Sequence, residues 1–325
     1  MNYRSLKDLS HLSTQSASRI APDVDLVVGI PRSGMLVASI IALKLNLPLT
    51  DLYAFLRNDE LKKGSTRTYK RNDMTLPQQA RKILLVDDSI ASGKSMLEAL
   101  ERVRAVYAGE VVTLVAFGET HNQQQVDICM EIVKQPRVFE WNIMHHHFMS
   151  EACLDIDGVL CEDPTADDND DGVNYLKFLT RARPLYIPSL KVAHLVTSRL
   201  EKYRPETEAW LAEHGVQYGQ LHMLDLPSAA ERRRLNMHHK FKAQVYARQK
   251  DASLFVESEM QQAIEIMKAT KKPVYCIETN EMYTPSNLHA LKTKAVRKGW
   301  GLKRRLVGAA RGLASRFGLP SKPAA

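Results

Sequence analysis

The chain of 325 residues lacks the features that would place it in several protein classes at once. It has no run of about 18 apolar residues, which excludes a membrane-spanning helix. Its first residues, MNYRSLKDLSHLS, lack the apolar centre of a secretory signal, so a cytoplasmic protein is expected. It has four cysteines (Cys129, Cys153, Cys161 and Cys276) and no CxxC pair. These are expected to be reduced, buried and structural rather than part of a disulfide framework. Acidic residues are missing from one place in particular: residues 291–325 carry ten Lys or Arg and no Asp or Glu. The formal net charge is +8, so the first 290 residues hold 8 − 10, about −2. The basic character belongs to the tail, and no nucleic-acid-binding face is expected on the body.

What is present is ordinary globular material, 44% hydrophobic and 25% charged, enough for two domains. Short apolar runs alternate with helical patterns. Residues 25–30 (DLVVGI), 82–87 (KILLVD) and 111–117 (VVTLVAF) read as buried strands, with helices over 35–45 and 95–107. Such alternation predicts a mainly parallel sheet covered on both faces. The pattern restarts after residues 141–150 (WNIMHHHFMS), with strands at 152–156, 191–196, 254–257 and 273–278 and helices at 204–214 and 258–270. The expected organisation is α/β: one domain over residues 1–149, a second over 150–290, and a tail over 291–325.

In the first domain, VDDSIASGKS (86–95) follows a buried strand and opens a helix. Asp87 and Asp88 end the strand, and Ser92, Gly93, Lys94 and Ser95 form a turn whose backbone N–H groups face an anion, aided by the helix dipole. A P-loop is excluded, because the residue five before Gly93 is Asp88 rather than Gly. Paired carboxylates beside a phosphate cradle suit a ribose 5-phosphate. This segment, with GIPRSGM (29–35) before it and the polar, basic DELKKGSTRTYKR (59–71) between, resembles the type I phosphoribosyltransferases over roughly the first 148 residues. The resemblance implies that Asp87 and Asp88 hold the ribose hydroxyls of phosphoribosyl pyrophosphate. Ser92, Gly93, Lys94 and Ser95 hold its 5-phosphate, and Arg32, Ser33 and Gly34 its pyrophosphate with Mg2+. Residues 59–71 would form a flap over the site. The implied reaction displaces pyrophosphate through an oxocarbenium-like transition state. No base-recognition hood is identified.

In the second domain, ACLDIDGVL (152–160) delivers Asp155 and Asp157 on one side of a strand, and Gly158 permits a sharp turn. Two such carboxylates can divide the roles of nucleophile and acid–base. The segment resembles the DxDG phosphatase form of the haloacid dehalogenase superfamily, and HLVTSR (194–199), a lysine and LFVESE (254–259) follow in that family's order. The resemblance implies a Rossmann-like fold with a small or absent cap, an aspartyl-phosphate on Asp155, and Asp157 as acid and base. Thr197 and Lys242, or alternatively Lys240, would hold phosphoryl oxygens. Magnesium would be anchored by Asp155, the backbone carbonyl of Asp157 and Glu257. The family's last motif carries aspartates where this chain has Glu257 and Glu259, which leaves open which of the two acts.

Other features read as structural. The acidic loop 162–171 (EDPTADDNDD) is expected to be solvated, since an EF-hand from Asp167 would need Glu where Phe178 stands. His145, His146 and His147 cannot all face one metal from a strand, and His238 and His239 read as exposed side chains. In the tail, helical spacing gathers Leu302, Leu306, Leu313 and Phe317 on one face and leaves Arg304, Arg305, Arg311 and Arg316 largely elsewhere. A basic amphipathic helix over 295–325 suits an anionic membrane surface, which makes a peripheral location on the inner face the expectation. A phosphoribosyltransferase joined to a phosphatase is consistent with delivery of a ribofuranosyl unit to a glycan or small-molecule acceptor, as in surface polysaccharide synthesis. A salvage enzyme with a fused nucleotidase and a non-catalytic ligand sensor are the alternatives.

Overall fold

The computed structural model describes residues 1–62, 68 and 73–286. The flap segment lies largely outside this range and the tail lies wholly outside it. Among the described residues no helix is long and apolar enough to cross a membrane. The chain divides into two compact units between Ile143 and Met144, a few residues ahead of residue 149.

The first unit opens with β1 (Asn2–Arg4) and α1 (Leu6–Ser16), followed by β2 (Leu26–Gly29), α2 (Ser33–Leu45), β3 (Leu49–Asp51) and α3 (Leu52–Arg57). It continues with β4 (Lys82–Ser89), α4 (Lys94–Val106), β5 (Glu110–Gly118), β6 (Ile128–Ile132) and β7 (Arg137–Phe139). Five strands form a parallel sheet in the order β3-β2-β4-β5-β6, and β1 pairs with β7 apart from it. Alternation along each strand sends side chains to opposite faces. Val27, Leu84, Val86 and Leu114 pack with Leu9 of α1 and Val37 and Ile41 of α2. Leu26, Val28, Ile83, Leu85 and Val115 pack with Phe55 of α3 and Met96 and Val103 of α4. Burial on both faces is why these strands read as continuous apolar runs.

The second unit contains β8 (Ala152–Leu154), α5 (Val173–Arg181), β9 (Val192–Leu200), α6 (Arg204–Glu213), β10 (Tyr218–Leu224) and α7 (Ala229–Arg234). Next come α8 (Met237–Arg248), β11 (Leu254–Glu257), α9 (Met260–Thr270), β12 (Val274–Cys276) and β13 (Glu281–Tyr283). Its sheet runs β10-β9-β8-β11-β12-β13, parallel except for β13. Tyr246 of α8 and Ile266 and Met267 of α9 cover Cys153, Phe255 and Val274 on one face. All four cysteines are free, and Cys129 is only half-buried rather than enclosed like the other three.

Each sheet has a switch point, where consecutive strands leave in opposite directions and open a crevice at the strands' carboxyl ends. In the first unit it lies between β2 and β4, and in the second between β8 and β11. The sequence motifs fall at these two places.

Candidate functional site

At the first switch point, Ile30 N–H donates to Val86 O (2.8 Å), which brings the end of β2 beside the end of β4. A cavity of about 300 Å³ is lined there by Ser33, Asp87, Asp88, Ser92, Gly93, Lys94 and Ser95, together with Pro31. Arg32 is exposed at the start of α2 and is not part of that lining. Gly34 is buried against β4, and a Cβ there would lie 2.7 Å from Val86 O and 2.9 Å from the Asp87 Cα. The helix can therefore approach the strand only with glycine at this position. Helices α2 and α4 both begin without a hydrogen bond from an N-cap side chain, although Lys94 N–H at the start of α4 donates to Ser92 Oγ (3.4 Å). Gly93, at φ +81°, makes the turn into α4 in the left-handed region that favours glycine.

The carboxylates differ in their surroundings. Asp88 is buried, and its Oδ2 accepts from Trp141 Nε1 (2.9 Å). Burial, reinforced by the neighbouring Asp88, pushes the Asp87 carboxyl up to about 7. Two residues overlooked in the sequence hold the turn from behind. Asn122 Nδ2 donates to Ala91 O (2.8 Å) and Ile90 O (3.1 Å), and Arg137 Nη2 donates to Ile90 O (2.6 Å). With these carbonyls engaged, the turn is fixed on its inner side. Trp141 stacks on Phe139 at 4.9 Å, and Phe139 on Phe117 at 5.0 Å.

At the second switch point, Asp155 follows β8 and Glu257 ends β11. Lys242 of α8 lies between them, with its Nζ donating to Asp155 Oδ2 (2.5 Å), Glu257 Oε2 (2.8 Å) and Gln262 Oε1 (3.2 Å). All three charged side chains are at most 5% exposed. Burial alone would lower the ammonium's pKa, but the two carboxylates hold it above the ordinary lysine value. Lys240 points elsewhere, to Leu235 O, and Glu259 is exposed at the start of α9. Of the alternatives left open by the sequence, Lys242 and Glu257 are therefore the pair gathered at Asp155.

Thr197 is fully buried, and its hydroxyl accepts from Arg199 N–H (3.1 Å). Leu154 of β8 pairs with Leu195 of β9, so the strand ends bearing Asp155 and Thr197 are neighbours. Asp157 is taken up by the fully buried Arg199, whose Nη2 donates to Oδ1 (2.6 Å) and whose Nε lies 3.1 and 3.2 Å from the two oxygens. Gly158 turns the chain at φ +71°, and a Cβ there would lie 2.5 Å from the Ser258 Cβ. His238 is half-buried rather than exposed, with its Nδ1 3.3 Å from Ser198 Oγ. The acidic loop is mostly exposed, as expected, and some of its carboxylates are engaged in hydrogen bonds. Asp170 accepts from Gly172 and Tyr175 N–H groups at the start of α5, and Asp171 binds Lys202, Tyr203 and the Ala229 N–H.

Asp155 and Glu257 offer the hard oxygen donors that magnesium takes. Among the described residues no three His, Cys, Asp or Glu side chains are grouped to hold a metal, since the Asp157 carboxylate is turned to Arg199. In this structure the Asp155 and Glu257 carboxylates both accept from Lys242 Nζ.

Residues 2–149 match the family model of the phosphoribosyl transferase domain, and this part of the chain is a phosphoribosyltransferase domain. The chain is similar to the Bifunctional protein PyrR of Corynebacterium diphtheriae, 26% identical over 130 residues that cover 37% of this chain and 68% of that protein. Among the solved structures to which the chain is similar is the xanthine-guanine-hypoxanthine phosphoribosyltransferase of Helicobacter pylori. It is 17% identical with a TM-score of 0.33, over 44% of this chain and 92% of that one. A purine phosphoribosyltransferase from Pyrococcus horikoshii is 16% identical with a TM-score of 0.31, over 43% and 92%.

Proposed function

We propose that the chain is bifunctional. Its first domain transfers 5-phosphoribose from phosphoribosyl pyrophosphate to an acceptor hydroxyl, and its second unit removes the 5-phosphate to leave a ribofuranosyl unit. The observation that carries this reading is the buried Asp155–Lys242–Glu257 cluster at the switch point of a second sheet, in a chain whose first sheet holds a phosphate cradle at its own switch point. A second phosphate-directed site has no use in simply making a phosphoribosyl product. It has a use when the phosphate must be removed.

In the first site, Asp87 and Asp88 bind the ribose hydroxyls, and the N–H groups of residues 92–95 bind the 5-phosphate. Arg32, Ser33 and Gly34, at the start of α2, bind the pyrophosphate. Fixed N–H groups and helix dipoles stabilise the negative charge that develops on the leaving pyrophosphate. Arg32, Ser33 and Gly34 would also receive the magnesium bound to the pyrophosphate, which would add charge neutralisation. The acceptor oxygen bonds to the anomeric carbon as the bond to pyrophosphate breaks, and the hydroxyl's proton leaves to the departing pyrophosphate or to water.

In the second site, Asp155 attacks phosphorus and the bond to the ribose 5-oxygen breaks, with Asp157 supplying the proton to that oxygen. Water, deprotonated by Asp157, then attacks phosphorus and releases phosphate and free Asp155. Lys242 and Thr197 hold the phosphoryl oxygens. Magnesium held by Asp155, the Asp157 carbonyl and Glu257 would supply charge neutralisation at the phosphoryl group.

A lipid-linked glycan on the cytoplasmic face is the acceptor we favour, because residues 291–325 concentrate ten positive charges. A nucleobase acceptor is the second reading, favoured by the Trp141–Phe139 stack beside Asp88. Incubating the purified protein with phosphoribosyl pyrophosphate and either polyprenyl-linked glycans or free nucleobases, and weighing the products by mass spectrometry, separates the two. Ribosylated glycan without phosphate supports the first reading. Nucleotide formation alone overturns it.

A further inference from the structure

Resting on the phosphatase reading of the second unit, we infer that the groove between α8 and α9 receives the leaving group of that reaction, and that this leaving group is an uncharged, hydroxyl-rich oligosaccharide rather than a nucleoside. A cavity of about 570 Å³ opens there, lined by Asn236, His238, His239, Glu259, Gln261 and Gln262. Two of these residues connect it to the phosphatase cluster. Gln262 Oε1 accepts from Lys242 Nζ (3.2 Å), and His238 Nδ1 lies 3.3 Å from the hydroxyl of Ser198, the neighbour of Thr197. A phosphoester held at Asp155 therefore has this groove beside it.

The cavity leads on, through His239 and Glu265, into a second one of about 500 Å³ that includes Ala243, Ala247 and Ala269. Together they exceed what a single ribose phosphate would fill and lie in the size range of small-ligand sites. The chemistry of the walls selects the occupant. Amides and imidazoles both donate to and accept from hydroxyls and the carboxylates accept from them, while the alanines offer a small apolar surface to the C–H face of a sugar. No Phe, Tyr or Trp lines either cavity, and the rings offered to a base are the small imidazoles of His238 and His239.

The charges also disfavour an anionic leaving group. Burial, reinforced by Arg232 and Lys242, lowers His238 to about 4, which leaves it neutral near pH 7. Of the two lysines in the outer cavity, Lys268 is paired with Glu265 (2.6 Å) and Lys240 donates to Leu235 O (3.3 Å). Glu265 is in turn neutralised by Lys268, and the inner cavity has Glu259 but no Lys or Arg in its lining, so further phosphates would find no cation there.

The test compares the full-length protein with Gln261→Trp, which fills the groove, and Gln261→Ala, which only removes its hydrogen bonds. Phosphate release is measured from ribose 5-phosphate, AMP and 5-phosphoribofuranosyl lactoside. The wild type is expected to favour the lactoside over AMP in kcat/KM by about tenfold, the worth of one or two hydrogen bonds. Gln261→Trp should raise KM for the lactoside about tenfold more than for ribose 5-phosphate, and Gln261→Ala should do so to a smaller degree. Preference for AMP, or equal effects on the long and short substrates in both variants, overturns the assignment. If the wild type cleaves none of the three, the phosphatase reading fails, and the groove is judged by NMR line broadening of unphosphorylated ribofuranosyl lactoside. Broadening by wild type that is lost in Gln261→Trp sustains the groove, and its absence or persistence in the variant removes it.

Discussion

Arg199 holds Asp157 through two nitrogens, with Nη2 2.6 Å from one carboxylate oxygen and Nε within 3.2 Å of both. The guanidinium is fully buried, and burial alone would lower its pKa, yet Asp157 raises it above the ordinary arginine value. Removing one partner leaves a buried charge uncompensated, which costs about 3–5 kcal/mol. Asp157→Asn, which strands the fully buried guanidinium, is therefore expected to lower the unfolding free energy of the second unit by about that much, seen as a lower urea midpoint at an unchanged slope. Arg199→Met removes the buried charge and leaves the partly exposed Asp157, and should cost less. The check is urea unfolding followed by circular dichroism on both variants.

The same pair bears on catalysis. Asp157, held in place by Arg199, is the residue proposed to protonate the leaving oxygen. Asp157→Asn should therefore slow hydrolysis of ribose 5-phosphate, whose alkoxide leaving group needs a proton, by about 10²–10⁴-fold. Loss on p-nitrophenyl phosphate, whose leaving group departs without one, should be much smaller. Equal losses on both substrates would show that Asp157 acts otherwise.

Asp155→Asn removes the proposed nucleophile at constant size. It should leave transfer intact and cause the acceptor product to accumulate with its 5-phosphate attached, read as intact mass. A product lacking phosphate from this variant refutes the proposed step. Because the two sites lie on separate sheets, Asp87→Asn combined with Asp88→Asn should give the opposite pattern, with no transfer but full hydrolysis of ribose 5-phosphate.

Both sites were visible in the sequence to the extent that they sit on strand ends. Runs such as KILLVDD and ACLDID join a buried strand to an acidic exit, and the parallel sheet places those exits at a switch point. What the sequence could not show depends on tertiary pairing. Nothing local distinguishes Lys242 from Lys240; position on α8 relative to β8 and β11 decides it. Nothing in HLVTSR signals that Arg199 is buried, and its partner Asp157 lies 42 residues away. Trp141, Asn122 and Arg137 lie more than 30 residues from the turn and aspartate they support. Strand β10 (YGQLHML) escaped notice because an edge strand is only partly buried and half polar, and the antiparallel β13 because it has only three residues.

Gly93 offers a test of the cradle that leaves its charges alone. At φ +81°, an alanine is strained by about 1–2 kcal/mol, and its Cβ would come 2.0 Å from Gln125 Oε1. The flexible Gln125 can withdraw, so Gly93→Ala should fold while the N–H groups of the turn lose their alignment. Weaker binding of phosphoribosyl pyrophosphate by about tenfold is expected in titration calorimetry, with phosphatase activity unchanged.

Asp87 sets function against stability. Burial raises its carboxyl to about 7 from an ordinary value near 3.8, so the folded protein binds a proton that the unfolded chain releases. The sign follows from this. Below pH 4 the group is protonated in both states and costs nothing. Between pH 4 and 7 the unfolded chain loses the proton first, so stability falls as pH rises, and above 7 the full cost is present. Asp87→Asn carries no such charge. It should raise the melting temperature of the first domain by a few degrees at pH 8 and by almost nothing at pH 4, measured by calorimetry. Transfer should move in the other direction. Only the ionised carboxylate accepts from both ribose hydroxyls, so wild-type activity is expected to climb through pH 7, while Asp87→Asn stays low at every pH. A variant that is no more stable at pH 8 than at pH 4, relative to wild type, would show that Asp87 ionises without strain in the folded domain.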